Sequence, residues 1–333
     1  MLKLIYALNT IAVVGLVLAY ISPFINPEIT GLFAIFGLGY PFILVVNIMF
    51  LVFWLLFKRK YIWLPLLGLL LGFFPIRRTI AVKLDDKKAD GLSVMTYNIG
   101  KTRIDFHYKK SKRKKIDRFK KFLSDTSPDI ICVQERFPYH YDYYKEIFDG
   151  YSVFPDYKLG TCIYTKLPIV NSGNIPFNTQ YHNGTWADIK VGKDTCRFYS
   201  VHLSSNRVPN LTDNVKEIWE ESKYILNKYN EHAQQRVSQL QQVLDHAQQS
   251  PHPVVINGDF NDVPQSYIYS MIDAKYEDAF LSSGLGLAQT FKSRFLGLRI
   301  DYTFTDKDVK VLDQQILDTP ISDHLPVVTT LDL

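Results

Sequence analysis

Charged side chains are almost missing from the start of this 333-residue chain: between Leu4 and Phe57 there is one, Glu28. Long apolar stretches of that kind belong in a bilayer, so a water-exposed N-terminal domain is excluded. Cysteine is scarce as well. Cys132, Cys162 and Cys196 are the only three, an odd number closes no disulfide framework, and each sits within an apolar or alternating run that reads as a strand. They are expected to be buried free thiols. A basic excess is also lacking. The chain has 38 basic and 33 acidic residues, and setting aside the four basic residues and one acid of the first seventy-six leaves 34 against 32. That balance carries no duplex-binding footprint. Nothing repeats internally, so a solenoid or propeller array is excluded.

What is present first is a membrane module over residues 1–76. Leu4 to Pro23 supplies about the 20 apolar residues that a bilayer-spanning helix needs. Leu32 to Phe57 is longer, uncharged and interrupted by Pro41, which lipid-embedded helices tolerate. Tyr61 to Ile76 is shorter and carries Pro65; it reads as a thin third span or as a segment lying in the interface, and its length favours the span. A cleaved signal peptide is the competing reading of the first segment, opposed by its length and by the lack of a small-residue cleavage site. Lys3 precedes the first span, the loop from Ser22 to Thr30 has no basic residue, and Lys58-Arg59-Lys60 follows the second. This bias places the N-terminus and the triplet in the cytoplasm. A third span then sends the remainder to the non-cytoplasmic side. Arg77-Arg78 would lie on the disfavoured side, and without a third span the remainder is cytoplasmic.

Residues 77–90 read as a linker and 91–333 as one large domain. Short β-like runs recur through it: Leu92 to Tyr97, Ile130 to Gln134, Ser152 to Pro155, Thr161 to Thr165, Trp186 to Val191, Arg197 to Leu203, Val254 to Asn257, Ile300 to Thr305 and Val327 to Thr330. Helical candidates are the basic amphipathic run Lys109 to Lys121, a polar stretch from about Asp213 to Gln249, and Pro264 to Asp273. Many strands with few helices predict a sheet sandwich with helices on its outer faces. The basic face of the first helix is read as a solvated surface, with contact to anionic headgroups as the sharper alternative. Residues 204–232 form a long connection directly after His202, a length common in binding loops and lids.

Five segments place acid, amide or imidazole groups at the ends of apolar runs: MTYNIG (95–100), IICVQE (130–135), VHL (201–203), INGDFND (256–262), and RIDYTF (299–304) with SDHLPV (322–327). Hydrolysis of a phosphate ester requires neutralised phosphoryl charge, a water delivered in line, and assistance to the leaving oxygen. Glu135 and Asn98 each end a strand, and an acid with a neighbouring amide can hold a hydrated Mg²⁺. Asp259 and Asn261 are two apart, so in an extended chain they point the same way and could orient a water and a phosphoryl oxygen together. In the Asp323-His324 pair the acid can serve the metal side while the imidazole faces phosphate, leaving Asp301 to fix the tautomer and angle of His324.

In order, spacing and context these segments resemble the endonuclease/exonuclease/phosphatase superfamily, whose members include DNase I-like nucleases, inositol-polyphosphate 5-phosphatases and neutral sphingomyelinases. The resemblance covers about residues 92–333. It implies a four-layer α/β/β/α sandwich with the site at one end of the two sheets. It further implies Glu135 as the principal Mg²⁺ ligand with Asn98 and Asp323 beside it, Mn²⁺ being a workable substitute. His202 and Asn261 would bind the scissile phosphate, Asp259 would orient or deprotonate the attacking water, and an Asp301–His324 pair would complete the site. Asp259 and His324 both stay open as the base. The GTCIYTKLPI segment (160–169) resembles the superfamily's strand pair behind the site, and the anchor resembles membrane-bound neutral sphingomyelinases in layout alone. The tyrosine-rich stretch PYHYDYY (138–144) is a candidate substrate wall, with ring packing at a domain edge as the alternative.

The reading that follows is a membrane-tethered, Mg²⁺-dependent phosphoesterase acting on a phosphodiester or phosphomonoester, small or lipid-linked, with phospholipid or sphingolipid headgroups as candidate substrates. It would be an integral membrane protein, of the cytoplasmic membrane in a bacterial host, with its catalytic domain outside. A membrane-anchored DNA or RNA nuclease is the alternative and predicts a steep salt dependence. An inactive binding module is a further alternative, opposed by the presence of every metal-side and acid–base group.

Overall fold

The apolar N-terminal segments coil into α1 (Leu2–Ile21), α2 (Leu32–Phe57) and α3 (Trp63–Leu71). In this computed structural model residues 2–82, 90–100, 109–136, 141–155, 160–179, 182–206, 215–292, 297–319 and 321–333 are described. The chain divides into two compact units: Met1–Ile80 with Ser204–Ser238 and Asp262–Ala274, and Ala81–Leu203 with Gln239–Asn261 and Lys275–Leu333.

In the first unit, two helical segments, Leu2–Phe24 and Leu32–Phe57, are long and apolar enough to cross a membrane, with mean hydropathies of 2.2 and 2.4. Leu4, Leu8, Ile11 and Val14 of α1 and Val45, Met49, Val52 and Leu56 of α2 stand exposed, a contiguous apolar surface of the kind that marks an interaction site. Two polar contacts join these helices: Trp54 Nε1 donates to Asn9 Oδ1 at 2.9 Å and Asn47 Nδ2 to the Ala12 carbonyl at 3.0 Å.

Helix α3 has nine residues, about 14 Å of rise against a hydrocarbon thickness of ~30 Å. Its flanks extend the path. The Tyr61 ring lies 5.2 Å from Tyr6 near the start of α1, whereas Tyr20 near its end donates to the Gly68 carbonyl at 3.2 Å, and Gly72 sits against the Tyr20 hydroxyl. Residues 61–72 therefore run alongside α1 from its first turns to its last. Tyr6, Trp54 and Tyr61 cluster at the end carrying Lys58-Arg59-Lys60. The other two segments of this unit attach at the opposite end. Gln234 Nε2 donates to the Pro27 carbonyl at 3.2 Å, the Tyr229 hydroxyl to Ala34 at 3.0 Å, and Gln265 Nε2 to Pro75 at 2.7 Å.

The second unit is built on two six-stranded sheets. Its strands are β1 (Leu92–Asn98), β2 (Ile130–Arg136), β3 (Ser152–Phe154), β4 (Gly160–Thr165), β5 (Ile169–Pro176), β6 (Asn183–Val191), β7 (Asp194–His202), β8 (Val254–Asp259), β9 (Glu277–Asp278), β10 (Asp301–Thr305), β11 (Lys310–Ile316) and β12 (Val327–Asp332). One sheet has the order β11-β12-β1-β2-β4-β3 and the other β9-β10-β8-β7-β6-β5. Val94, Ile130, Cys132 and Ile163 of the first pack against Ala187, Ile189, Cys196, Phe198 and Val255 of the second in a continuous core. All three cysteines are buried and free, as expected.

The outer face of the first sheet is covered by the helices Lys109–Thr126 and Tyr141–Ile147, through Ile116, Phe119, Leu123, Tyr144 and Ile147. On the second sheet, Tyr199 bonds to His246 near the end of the helix Val215–Gln248, at 2.7 Å. The unit is thus the expected α/β/β/α sandwich. Strands covered on both faces have no reason to alternate apolar with polar residues, and β2, β7 and β8 are buried almost throughout.

A polar layer interrupts this core at one end. Gln134 donates to Thr96 at 3.1 Å and to Ser200 at 3.0 Å, Thr303 to Asn257 at 3.0 Å, and Thr329 to Thr303 at 3.2 Å. Thr96, Ser200, Asn257 and Thr303 each lie two residues along their strands from Asn98, His202, Asp259 and Asp301. Positions two apart share a face of the strand, so the layer is the floor on which those four residues stand.

Candidate active site

Strand pairing alone assembles most of the site. The parallel pair β1 and β2 matches Asn98 with Gln134, the parallel pair β7 and β8 matches His202 with Asp259, and antiparallel β10 sets Asp301 on the other side of Asp259. Asp259 is flanked in its own sheet by an imidazole and a second acid. Across the sandwich, Asn98 Nδ2 donates to Asp259 Oδ2 at 2.8 Å and approaches Glu135 Oε1 at 3.4 Å. His202 Nε2 stands 3.7 Å from Glu135 Oε1 and 3.9 Å from Asp259 Oδ2. The amide and the imidazole thus hold two carboxylates toward one point.

Local backbone chemistry explains the orientation of each group. Glu135 adopts φ +55° at an irregularity in the pairing of β2 with β4, so it leaves the regular alternation of the strand. Gly258 has φ +152°, and a Cβ there would run into the Val201 carbonyl, so this step of INGDFND admits only glycine. Asn261, at φ +53°, donates its backbone N–H to Asp259 Oδ1 at 2.9 Å and its side chain to the Leu203 carbonyl at 2.9 Å. The Asp259–Asn261 segment is therefore an Asx turn rather than extended chain. Through these two bonds Asn261 ties the end of β8 to the end of β7.

Asp323 and His324 come from the segment before β12. Ser322 Oγ donates to the carbonyls of Asn98 and Gly100 at 2.9 and 3.0 Å and lies 3.4 Å from Asp323 Oδ1, which pins this segment to the end of β1. His324 Nδ1 lies 3.1 and 3.0 Å from the two Asp301 oxygens, and its Nε2 lies 3.8 Å from Asp259 Oδ2. Asp301 thus meets the ring at Nδ1 and leaves Nε2 on the side of Asp259.

Electrostatics follow from this crowding. Burial, then the charge of Asp301, push the Asp259 carboxyl up to about 7, against the opposing pull of His324 and the hydrogen bond from Asn98. Burial pulls His324 down, but Asp301 and Asp259 outweigh it and raise the imidazole to about 10. At neutral pH the arrangement is an imidazolium between two acids, one of them near its midpoint. Such a pair can take a proton from water and give one to a departing oxygen.

The donor set suits a hard divalent cation: the Glu135 carboxylate is 22% exposed, and the Asp323 carboxylate lies in the segment pinned to Asn98. Asn98 Oδ1 accepts from the Gly100 amide at 2.9 Å, and the side-chain amino group Nδ2 faces the carboxylates. As arranged it serves them as a donor, and its oxygen would turn to become a ligand. Asp259, Asp301 and His324 also bring ligand atoms within 4.8 Å of one another, but there the imidazole already uses Nδ1 on Asp301.

Sequence reasoning passed over several contributors. Gln134 and Ser200 form the floor, Thr290 Oγ1 accepts from the amides of Ile300 and Asp301 at 3.0 Å each, Phe291 packs 4.9 Å from the His324 ring, and His182 packs 4.8 Å from His202. The period-two polar pairs Thr96/Asn98 and Ser200/His202 were a readable signal for the floor; the others carry none. Of the tyrosine-rich stretch, residues 138–140 lie outside the described residues, as do 207–214 of the long connection.

Residues 95–324 match the sequence model of the family described as Endonuclease/Exonuclease/phosphatase family, and residues 2–79 match one described as a domain of unknown function. No curated protein sequence matches the chain. Among solved structures, an endonuclease/exonuclease/phosphatase family protein from Bacteroides thetaiotaomicron aligns with a TM-score of 0.55 at 18% identity over 74% of this chain and 100% of that one. D. rerio TDP2 complexed with single strand DNA product gives 0.54 at 17% identity over the same shares. A mannosyl-6-phosphatase of B. thetaiotaomicron gives 0.52 at 18% identity over 73% and 100%. These likenesses speak to the fold, and the family match spans well over half of the chain. With five strand-end segments converging on one acid-rich point of a DNase I-like sandwich, the chain belongs to the endonuclease/exonuclease/phosphatase family, whose members are phosphoester hydrolases.

Proposed function

We propose that the protein is a membrane-tethered, divalent-cation-dependent phosphoesterase whose site faces the non-cytoplasmic side. The observation that carries the reading is the position of Asp259: buried, bonded to Asn98, and within 4 Å of both His202 and His324. In its ionised form this carboxylate accepts the proton of the attacking water. His202 and Asn261 bind the phosphoryl oxygens, and His324, oriented by Asp301, faces the phosphate as a cation. Glu135 and Asp323, with the Asn98 side chain turned, would hold Mg²⁺. When bound, the ion neutralises charge on the phosphoryl group.

The first unit supports the orientation we propose. Residues 61–72 return along α1 to the Tyr20 end, the end where Ser204–Ser238 and Asp262–Ala274 attach. The basic triplet and Lys3 mark the other end as cytoplasmic. A substrate presented at the outer leaflet suits this layout, and a lipid-linked phosphate ester is our favoured class. The test is hydrolysis by the full chain in lipid nanodiscs with Mg²⁺ or Mn²⁺, against a chromogenic phosphodiester, a phosphomonoester, phospholipid vesicles and single-stranded DNA. Turnover of the small or lipid esters that depends on Asp259 supports the reading. Cleavage confined to DNA with a steep salt dependence would make the protein a nuclease instead.

A further inference from the structure

Arg236 is completely buried. An arginine inside a protein is stable only where its charge and donors are met. Its Nε donates to Asp262 Oδ2 at 3.1 Å, with Nη2 3.0 Å from the same oxygen; Nη1 donates to the Ser204 carbonyl at 3.0 Å and to Asn206 Oδ1 at 2.7 Å. The guanidinium carbon stands 5.6 Å from the Tyr229 ring centre, and the Tyr229 hydroxyl donates to the Ala34 carbonyl of α2. All of these residues belong to the first unit.

The chain makes the partners of Arg236 informative. Ser204 is two residues past His202, and Asp262 directly follows Asn261. The residues just before them are already paired: the Leu203 amide donates to the Asp259 carbonyl at 3.0 Å, and Asn261 donates to the Leu203 carbonyl at 2.9 Å. One guanidinium therefore holds both chain segments as they leave the strands that carry His202 and Asp259. Only a planar fork with several donors can meet two backbone paths at once; an ammonium is a single point of charge.

We propose that Arg236 is a positioning residue of the hydrolytic site: by fastening Ser204–Asn206 and Asp262 together, it keeps His202 and Asn261 in register for phosphate. It touches neither substrate nor metal. This inference rests on His202 and Asn261 being the phosphate-binding pair.

The test measures inhibition of phosphodiester hydrolysis by inorganic phosphate, using the full chain in nanodiscs. The inhibition constant is a property of each active molecule, so a variant that merely folds in lower yield loses rate and leaves the constant unchanged. Arg236→Gln is expected to raise the constant and KM about tenfold, because a displacement on the order of 1 Å at a binding group weakens such contacts heavily. Arg236→Lys is expected to fall between Arg236→Gln and the parent. Should Arg236→Gln yield no active protein, Asn206→Ala decides: it removes one acceptor, leaves the buried Arg236–Asp262 pair, and is expected to raise the constant about threefold. An unchanged constant and KM in Arg236→Gln, or in Asn206→Ala when that variant decides, overturns the proposal. His202→Ala separates the two levels. If it raises the phosphate constant while the deciding variant does not, only the role of Arg236 fails; if it leaves the constant unchanged, the phosphate assignment fails and the inference with it.

Discussion

Replacing Asp301 with asparagine keeps the shape of the His324 contact and removes the charge that holds the imidazolium. In the folded protein His324 is raised from 6.5 to about 10 and Asp259 from 3.8 to about 7. The two shifts act on stability in opposite directions. A raised histidine stabilises the fold fully below pH 6.5, and that contribution is lost as pH rises through about 10. A raised carboxyl adds no penalty below pH 3.8, and its penalty grows until about pH 7. At pH 6, therefore, the Asp301–His324 attraction is in force while Asp259 is largely protonated and feels little repulsion from Asp301. Breaking a buried pair there costs about 3 kcal/mol or more. Above pH 10 the imidazole is neutral and Asp259 is ionised beside Asp301, so removing the Asp301 charge relieves repulsion. The assay is the thermal midpoint of the metal-free full-length protein across this range. With about 2–4 °C per kcal/mol for a domain of this size, Asp301→Asn is expected to lower the midpoint by roughly 6–12 °C at pH 6, and the gap should close or reverse by pH 10.5. A gap that stays constant with pH would refute the electrostatic account of the dyad.

Other outcomes follow from the same geometry. Mg²⁺ is expected to raise the thermal midpoint of the parent, with a hundredfold excess over Kd contributing about 2.7 kcal/mol, and Glu135→Gln should abolish most of the increase; an equal increase in the variant moves the metal elsewhere. Gly258→Ala drives a Cβ into the Val201 carbonyl at a φ that L residues rarely adopt, so we expect a loss of roughly 2–4 kcal/mol in unfolding experiments, and a neutral effect would contradict the close strand approach. A chain beginning at residue 88 removes the partners of Tyr229, Ala233 and Gln265, so it is expected to aggregate on size-exclusion chromatography without detergent. A monodisperse product would show that Ser204–Ser238 holds its structure without α1 and α2.

Much of the second unit was legible because its strands are short, β-branched and closed by turn residues, and because Asn98, Glu135, His202, Asp259 and Asp301 sit at or beside strand ends. A side chain at a strand end is placed by pairing register, which follows from the apolar pattern. The Asx turn at Asn261 was not legible, since the extended reading of Asp259-Phe260-Asn261 assumed regular alternation and the Asp259 side chain captured the Asn261 amide instead. Nor was the role of Arg236, because a single arginine in a polar helix looks solvated until the segments that bury it, starting at Ser204 and Asp262, are brought together from distant parts of the chain. The same reason hid the joining of 204–238 and 262–274 to the helices of the first eighty residues: those contacts are made by alanine, glutamine and tyrosine, which carry no motif.

The central claim is that Asp259, set between Asn98, His202 and His324, drives the hydrolysis of a phosphate ester. Its most direct measurement is the rate of phosphodiester hydrolysis by full-length Asp259→Asn in nanodiscs with saturating Mg²⁺, beside the parent. Removing a general base is expected to lower kcat by about 10²–10⁴-fold while the parent turns over. Turnover by Asp259→Asn equal to the parent's would contradict the account.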